Sequence, residues 1–194
     1  MPPAKRQKAG SKENEIFSVL SESTKKGEIL SDLKALHEAL TTLSQDPKER
    51  PKGLPVTAAH LVSDRIIGHS DKEVRLLAAC CLVDILRVFA PEAPYNDMEL
   101  IKVFQCIVTQ IRGLATHDMN TSTGMKVFYI LNSLSVVKSC VVMVFLAQSG
   151  LPGAEELYHS LFESMVSSVR SEHSEEVITH MVAILEVQRT KRIY

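Results

Sequence analysis

The stretch that decides the fold is "HSDKEVRLLAACCLVDILRVFA", residues 69–90. With cysteine counted as apolar, the polar side chains between Glu73 and Phe89 are few: Arg75, Asp84 and Arg87. A helix that is apolar on nearly every side must be covered on nearly every side. We therefore predict a helix that packs between neighbouring helices, and we expect Ser70 and Glu73 to form a capping box at its start.

Helical spacing of apolar residues continues on both sides of this stretch. Between residues 28 and 46 it predicts one helix, whose buried face is Leu30, Leu33, Leu36 or His37, Leu40 and Leu43. Prolines and a glycine at residues 47–55 then break the chain, and a second helix is predicted from about Thr57 to Ile67. Downstream, Asn96 with Glu99 predicts a capped helix that reaches Leu114. Further helices are predicted near residues 123–135, 136–148, 154–169 and 175–188, the last capped by Ser174.

These segments predict an all-α chain. No segment has the period-two alternation of a strand bounded by turns. Seven to nine helices of about 12–19 residues, several of them apolar on more than one face, fit an α-solenoid of HEAT-like antiparallel helix pairs better than a closed four-helix bundle. "DKEVRLLAACCL" (71–82) has the pattern of a HEAT second-helix start, and "SEEVITHMVAIL" (174–185) repeats it without the arginine.

The charge of the chain is unevenly distributed. The 194 residues carry a net charge of −1, which argues against electrostatic wrapping of nucleic acid. Residues 1–12 hold four basic side chains and no acidic one, so the rest of the chain carries −5. We predict a disordered basic tail over residues 1–12. Within it, Lys5, Arg6 and Lys8 match a fragment of a nuclear import signal, and a solvated tail without that role is the alternative.

No signal peptide and no membrane contact is predicted. The N-terminus lacks the apolar core of a signal peptide. The most apolar region, residues 127–147, is interrupted by several polar side chains, so its longest clean run is far shorter than the ~20 residues of a spanning helix.

The sequence has no pattern typical of an enzyme or a metal site. Phosphate-binding glycine motifs, HExxH and paired CxxC motifs are absent. The cysteines lie in apolar helical contexts that favour reduced thiols and a cytosolic or nuclear location: Cys80, Cys81, Cys106 and Cys140. His173 and His180 could share a helix face, but no cysteine or acid is placed to complete a site, which favours surface or capping roles. We predict no catalytic residue, no metal, no cofactor and no small-molecule substrate.

A proline corner, "APEAPY" at residues 90–95, follows the central helix. Proline fixes φ and lacks an amide hydrogen, so the helix cannot continue and an extended, polyproline-like segment is predicted. Small alanines leave the main-chain carbonyls reachable, and Tyr95 adds an amphipathic ring. A rigid segment loses little entropy on binding, which favours peptide docking. A tight turn between helices explains the same prolines, and the local chemistry leaves both interpretations open.

The run of residues 69–97 closely resembles the N-terminal HEAT region of a family of sister-chromatid cohesion regulators, the precocious-dissociation-of-sisters proteins that associate with cohesin. The residues that carry the resemblance are, in order, Asp71, Val74, Arg75 and Leu76, then Ala79-Cys80-Cys81, then the proline corner. It extends at lower fidelity through "QIRGL", "VFYILNSLSVVKS" and "LFESMVSSVRSEHSEEVITHMV", and covers roughly residues 28–186.

The resemblance implies a non-enzymatic nuclear α-solenoid that binds cohesin's kleisin subunit and regulatory proteins, and so controls release or maintenance of the ring on chromatin during cell division. In that family the corner docks short Phe- or Tyr-containing motifs of Wapl-type release factors and their competitors. Carried over, the site comprises Ala90, Pro91, Glu92, Ala93 and Pro94, with Tyr95 beside them, and Glu92 stands where aspartate is usual. The family's kleisin surface lies mostly further along the solenoid.

The resemblance also divides the chain. We expect a basic tail over residues 1–12, HEAT-like repeats over residues 13–188 and a tail outside the resemblance over residues 189–194. Because family members are far longer, we expect a fragment, an alternative product or a truncated gene product. The rival functions are a generic HEAT-repeat adaptor with no cohesin role, an enzyme with an unrecognised site, and DNA binding through the basic tail alone.

Overall fold

A computed structural model describes residues 25–190, with side chains described as far as residue 187. The chain divides into two compact units at Tyr95 and Asn96. The first contains α1 (Lys26–Thr42), α2 (Leu54–Leu61), α3 (Asp64–Ile67) and α4 (Lys72–Phe89). The second contains α5 (Asp97–Ile111), a 3-10 helix (Arg112–Ala115), α6 (Ser122–Val137), α7 (Cys140–Gln148), α8 (Ala154–Ser167) and α9 (Glu175–Thr190). Over these residues every regular element is a helix, which confirms the all-α prediction.

Helix α4 is the centre of the first unit. Every residue from Leu76 to Leu86 is buried, as are Val88 and Phe89. Helix α1 packs along α4, and α2 and α3 contact it as well. The prediction of a helix covered on nearly every side is therefore confirmed, and the cover is supplied by the three preceding helices.

The start of α4 differs from the predicted capping box. Asp71, not Ser70, is the N-cap residue, and its Oδ1 accepts from the amides of Glu73 (2.9 Å) and Val74 (3.4 Å). A carboxylate accepts more strongly than a hydroxyl, and its charge favours the helix N-terminus. The Ser70 carbonyl instead accepts from Arg75 Nη1 (2.9 Å). The capping box at Ser70 and Glu73 was thus wrong by one residue.

The buried face of α1 is also displaced by one residue at its start. Ile29, Leu33, Leu36 and Leu40 are buried, whereas Leu30 and Leu43 are only half-buried. The spacing from Ile29 keeps one helical stripe, while Leu30 lies about 100° further round the helix. Leu43 follows the helix in extended backbone, so it lies outside the stripe.

The other helix boundaries follow from particular residues. The helix predicted from Thr57 is two helices, because Ser63 between them has extended backbone, and the first begins at Leu54 with Pro55 in its first turn. Lys138 adopts the left-handed conformation and ends α6 (φ 57°). Among the described residues no single helix is long and apolar enough to span a membrane, although α6 and α7 pass that test of length and composition as a pair bent by 71°.

The second unit contains two correctly predicted caps. Asn96 Oδ1 accepts from Glu99 N (3.0 Å) and Glu99 Oε2 accepts from Asn96 N (2.9 Å), which is the expected capping box of α5. Ser174 Oγ accepts from Val177 N (3.4 Å) at the start of α9.

The helices of the second unit pack in pairs: α6 packs against α9, and α8 packs against both α5 and α7. Gly124 is needed in α6, because a Cβ at this position would lie 2.0 Å from the Asp118 carbonyl oxygen.

Candidate functional site

The proline corner (Ala90–Tyr95) leaves the C-terminus of α4 as a turn. Ala90 caps α4, with its amide donating to the Arg87 carbonyl (3.3 Å), and the Ala90–Pro91 peptide bond is cis. The chain turns at Ala90 and Pro91 and bends again at Pro94 and Tyr95. The prediction of one continuous polyproline-like segment is therefore wrong, because the turn begins as soon as α4 ends.

The six corner residues differ in how far they reach solvent. Pro91 and Glu92 are exposed, and Ala90, Ala93 and Pro94 are partly exposed. Tyr95 is only 8% exposed, so little of its ring reaches a surface. A ligand at this corner would therefore meet Pro91 and Glu92 first.

A support loop, residues 43–53 between α1 and α2, holds the end of α4 beneath the corner. Gln45 Nε2 donates to the Arg87 carbonyl (3.0 Å), and Arg50 Nη2 donates to the Val88 carbonyl (2.9 Å). The last carbonyls of a helix have no amide one turn further on to bind. The Arg50 bond satisfies the Val88 carbonyl, and the Gln45 bond is a second one to the Arg87 carbonyl, which also accepts from Ala90 N. The corner thus starts from a helix end that two side chains hold in place.

Arg87 completes the same connection from the side of α4. Its Nη1 donates to the Leu43 carbonyl (2.8 Å) and its Nη2 to the Leu40 carbonyl (2.7 Å), at the C-terminus of α1. A cationic side chain is favourable at a helix C-terminus, because it satisfies the free carbonyls and complements the helix dipole. The C-terminus of α4 therefore accepts hydrogen bonds from the support loop, and the C-terminus of α1 accepts hydrogen bonds from Arg87 of α4.

A buried carboxylate lies behind this connection. Asp84 has no exposed surface, His37 Nδ1 donates to its Oδ2 (2.8 Å), and Arg87 Nε lies 3.7 Å from its Oδ1. A buried charge is costly unless it is paired and hydrogen-bonded. These contacts fix the second half of α4 against α1 and orient Arg87 toward the support loop.

Arg50 lies on the ring of Phe89, the last residue of α4. Its Cζ is 4.1 Å from the ring centroid, a cation–π contact, and its Nε is buried without a hydrogen-bond partner. Sequence reasoning did not find Gln45, Arg50 or Arg87 as part of the site. Their acceptors are main-chain carbonyls about forty residues away, and such acceptors leave no pattern in the sequence.

The remaining polar candidates lie in the second unit and act separately. His173 Nε2 donates to the Leu114 carbonyl (3.0 Å), and Arg170 Nη1 donates to that of Ala115 (3.0 Å), so both cap the 3-10 helix. His180 Nδ1 lies 3.1 Å from Ser135 Oγ. The two histidines therefore have separate partners, and of the predicted surface or capping roles the capping one holds for His173. No group of three or more potential metal ligands occurs in the part of the chain that the structure describes.

The thiols are buried, as predicted. All four cysteines are free and buried. Burial raises the pKa of the Cys140 thiol to about 12 and raises the pKa of the Cys81 thiol well above its usual value. A thiol with a raised pKa stays protonated at neutral pH, so these side chains act as small apolar groups. The predicted import signal, Lys5, Arg6 and Lys8, lies outside the described residues.

The helices form a HEAT-type scaffold, and the proline corner lies at the end of one of them. The family model described as "Sister chromatid cohesion protein PDS5 protein" matches residues 27–187. The chain belongs to this family of sister chromatid cohesion proteins, as the sequence motifs predicted.

Individual relatives agree with this assignment. The chain is 34% identical over 167 residues to PDS5 homolog B-A of Xenopus laevis and to PDS5 homolog B of Homo sapiens. Each alignment covers 86% of this chain and 11% of the relative, so the chain spans about a tenth of their length. A chain from the solved structure of the Pds5–Scc1 complex superposes with a TM-score of 0.74 at 29% identity, covering 91% of this chain and 25% of that one. This likeness confirms the HEAT-like helical-repeat fold.

Proposed function

We propose that this chain is a non-enzymatic regulator in sister chromatid cohesion that acts through cohesin in the nucleus. Membership of the cohesion family supports the process. The related structure is described as a Pds5–Scc1 complex with implications for cohesin function, which supports cohesin as the assembly. Contact with the kleisin subunit would rest mostly on residues beyond those this chain shares with its relatives, and contact with chromatin would be indirect.

The proline corner is the proposed binding site for short aromatic motifs of Wapl-type release factors or their competitors. The observation that carries this proposal is the support beneath it, since two side chains of the support loop hold the end of α4 while Pro91 and Glu92 remain exposed. A surface that is already ordered loses little conformational entropy when a peptide binds. The alternative is a generic HEAT-repeat adaptor in which the corner serves only as a turn.

A titration distinguishes these two functions. A fluorescein-labelled peptide with a central Phe-Gly-Phe is titrated with the wild-type chain and with the Pro91→Ser/Pro94→Ser variant, and binding is followed by fluorescence anisotropy. Circular dichroism establishes that both proteins keep the same helix content. Saturable binding that the double variant loses supports the docking site. Failure of the folded wild type to bind, or equal binding by the variant, overturns it in favour of the adaptor.

A further inference from the structure

Arg50 is a cation held beside the proline corner. It is half-buried on the Phe89 ring, and its described hydrogen bond goes from Nη2 to the Val88 carbonyl, two residues before Ala90. No carboxylate of the described residues lies within ion-pair distance of its guanidinium. The side chain is thus fixed in position by two contacts, neither of which neutralises its charge.

The unsatisfied Nε shows that this arrangement is unusual. Buried polar atoms in native proteins nearly always have a hydrogen-bond partner, and an unpaired donor on a cation is more costly than one on a neutral group. Arg50 Nε is fully shielded and has none. A guanidinium that is partly desolvated and prepositioned binds a carboxylate more strongly than one in open solvent, because its water has already been removed.

The neighbouring charges also favour an anionic ligand. The support loop carries the exposed lysines Lys48 and Lys52 on either side of Arg50, while the carboxylate of Glu49 accepts from the Ser44 hydroxyl (2.7 Å). Glu92, the acidic residue of the corner, is exposed on the other side of Pro91. The same loop holds the exposed Asp46, whose Oδ1 accepts from the Lys48 amide (2.9 Å), so its three basic and two acidic side chains give a net charge of +1, and the corner that follows α4 carries one negative charge.

We propose that Arg50 is a specificity-determining residue of the proline corner. Its guanidinium binds a carboxylate that stands next to the aromatic residue of the docked peptide. This inference rests on the proposed docking function and names the chemistry of its ligand. The occupant is a peptide with an aromatic anchor and an adjacent aspartate or glutamate. One carboxylate suits one guanidinium that has already used one N–H on Val88, and the Phe89 ring lies 4.1 Å from its Cζ.

The test is a double-mutant cycle between protein and peptide. One labelled peptide has a glutamate on each side of a central Phe-Gly-Phe, and its partner has glutamine at both positions. Each is titrated with the wild type, with Arg50→Gln and with Lys52→Gln, which removes one exposed charge from the same loop. We expect the wild type to prefer the acidic peptide by about ten-fold, as one charge-assisted hydrogen bond implies. Arg50→Gln should abolish the preference, and Lys52→Gln should keep most of it.

Two further measurements separate recognition from loop stability. Raising the salt concentration should weaken binding of the acidic peptide more than that of the amide peptide. Arg50→Lys keeps the charge without the planar fork, and it should retain part of the preference. Thermal unfolding of all variants shows whether the support loop stays in place, and an Arg50→Gln chain that binds the amide peptide like the wild type has an intact corner.

The outcomes distinguish this inference from the function on which it rests. If both peptides bind the wild type equally and the Pro91→Ser/Pro94→Ser variant binds neither, the corner docks peptides but Arg50 does not select them, and the inference is overturned alone. If neither peptide binds the folded wild type, both proposals fall. A preference for the acidic peptide that Arg50→Gln retains also overturns the inference, because another cation is then responsible.

Discussion

Two proline-rich breaks interrupt the helices of the first unit, and they have opposite roles. In the support loop, which contains Pro47 and Pro51, the side chains of Gln45 and Arg50 donate to the carbonyls at the end of α4. In the proline corner, Pro91 and Glu92 face solvent. Both segments share the composition typical of a helix break. The difference shows that proline predicts where a helix ends, whereas the contacts of the neighbouring polar side chains decide whether the break supports or presents a surface.

The largest loss of stability is expected from a substitution that disrupts α4, the helix that both proline-rich breaks contact. Leu77 is 1% exposed in the middle of α4, and Leu77→Asp buries an unpaired charge. We expect destabilisation of about 4 kcal/mol or more, which removes most of the stability of a marginally stable domain. Far-UV circular dichroism and thermal melts measure it, with Val56→Asp as the control because Val56 is 54% exposed on α2. A cooperative melt of Leu77→Asp near the wild-type temperature would show that α4 is not the common platform.

The next largest loss of stability is expected from replacing Arg87, the residue that joins the end of α4 to the start of the support loop. Arg87→Met removes the donors to Leu40 and Leu43 and a charged neighbour of the fully buried Asp84. We expect a loss of about 2–4 kcal/mol in the free energy of unfolding. Urea denaturation measures it, and Lys34→Met provides the control because Lys34 is exposed and its ion pair with Glu73 is 4.0 Å long. Equal denaturation midpoints for the two variants would contradict a structural role for Arg87.

A smaller loss of stability compares the support loop with the proline corner directly. Gln45→Ala removes one exposed hydrogen bond to the Arg87 carbonyl and should cost about 0.5–1 kcal/mol of stability. Pro91→Ser/Pro94→Ser should change stability no more than that while abolishing peptide binding. Chemical denaturation measures the stability of both variants, and fluorescence anisotropy measures their peptide binding. A double proline variant that loses stability more than Gln45→Ala would show that the corner is itself a support.

The smallest effect concerns the far end of α4. A hydrogen bond from Lys26, with the amides of Glu73 and Val74, lowers the pKa of Asp71 below its ordinary value. A carboxyl whose folded-state pKa is lowered stabilises the fold above the unfolded-state pKa, and this stabilisation is lost as the pH falls through the folded-state pKa. The melting temperature should therefore fall at acid pH by less in Asp71→Asn than in the wild type. Parallel pH profiles of the two chains would contradict the lowered pKa of Asp71.

The sequence predicted the helices better than it predicted their details. Apolar spacing is a local property, so it identified the helices on either side of each break, and the Asn96 and Ser174 caps were correct because their partners lie three residues away. The cap of α4 was placed at Ser70 because a three-residue motif was available there, although the Asp71 carboxylate is the better acceptor. Tyr95, which the sequence predicts to add its ring to the corner, is 8% exposed, because burial depends on what packs over a residue.

By itself the sequence determined the helical class, the family and the positions of both breaks, because periodicity, proline and the motifs of residues 71–95 are read along the chain. Only the tertiary structure decided that the support loop holds the corner and that Arg50 lies on Phe89 with no carboxylate of the described residues in ion-pair distance. The physical reason is that these contacts join groups 38 to 47 residues apart and end on main-chain carbonyls, which every residue carries alike.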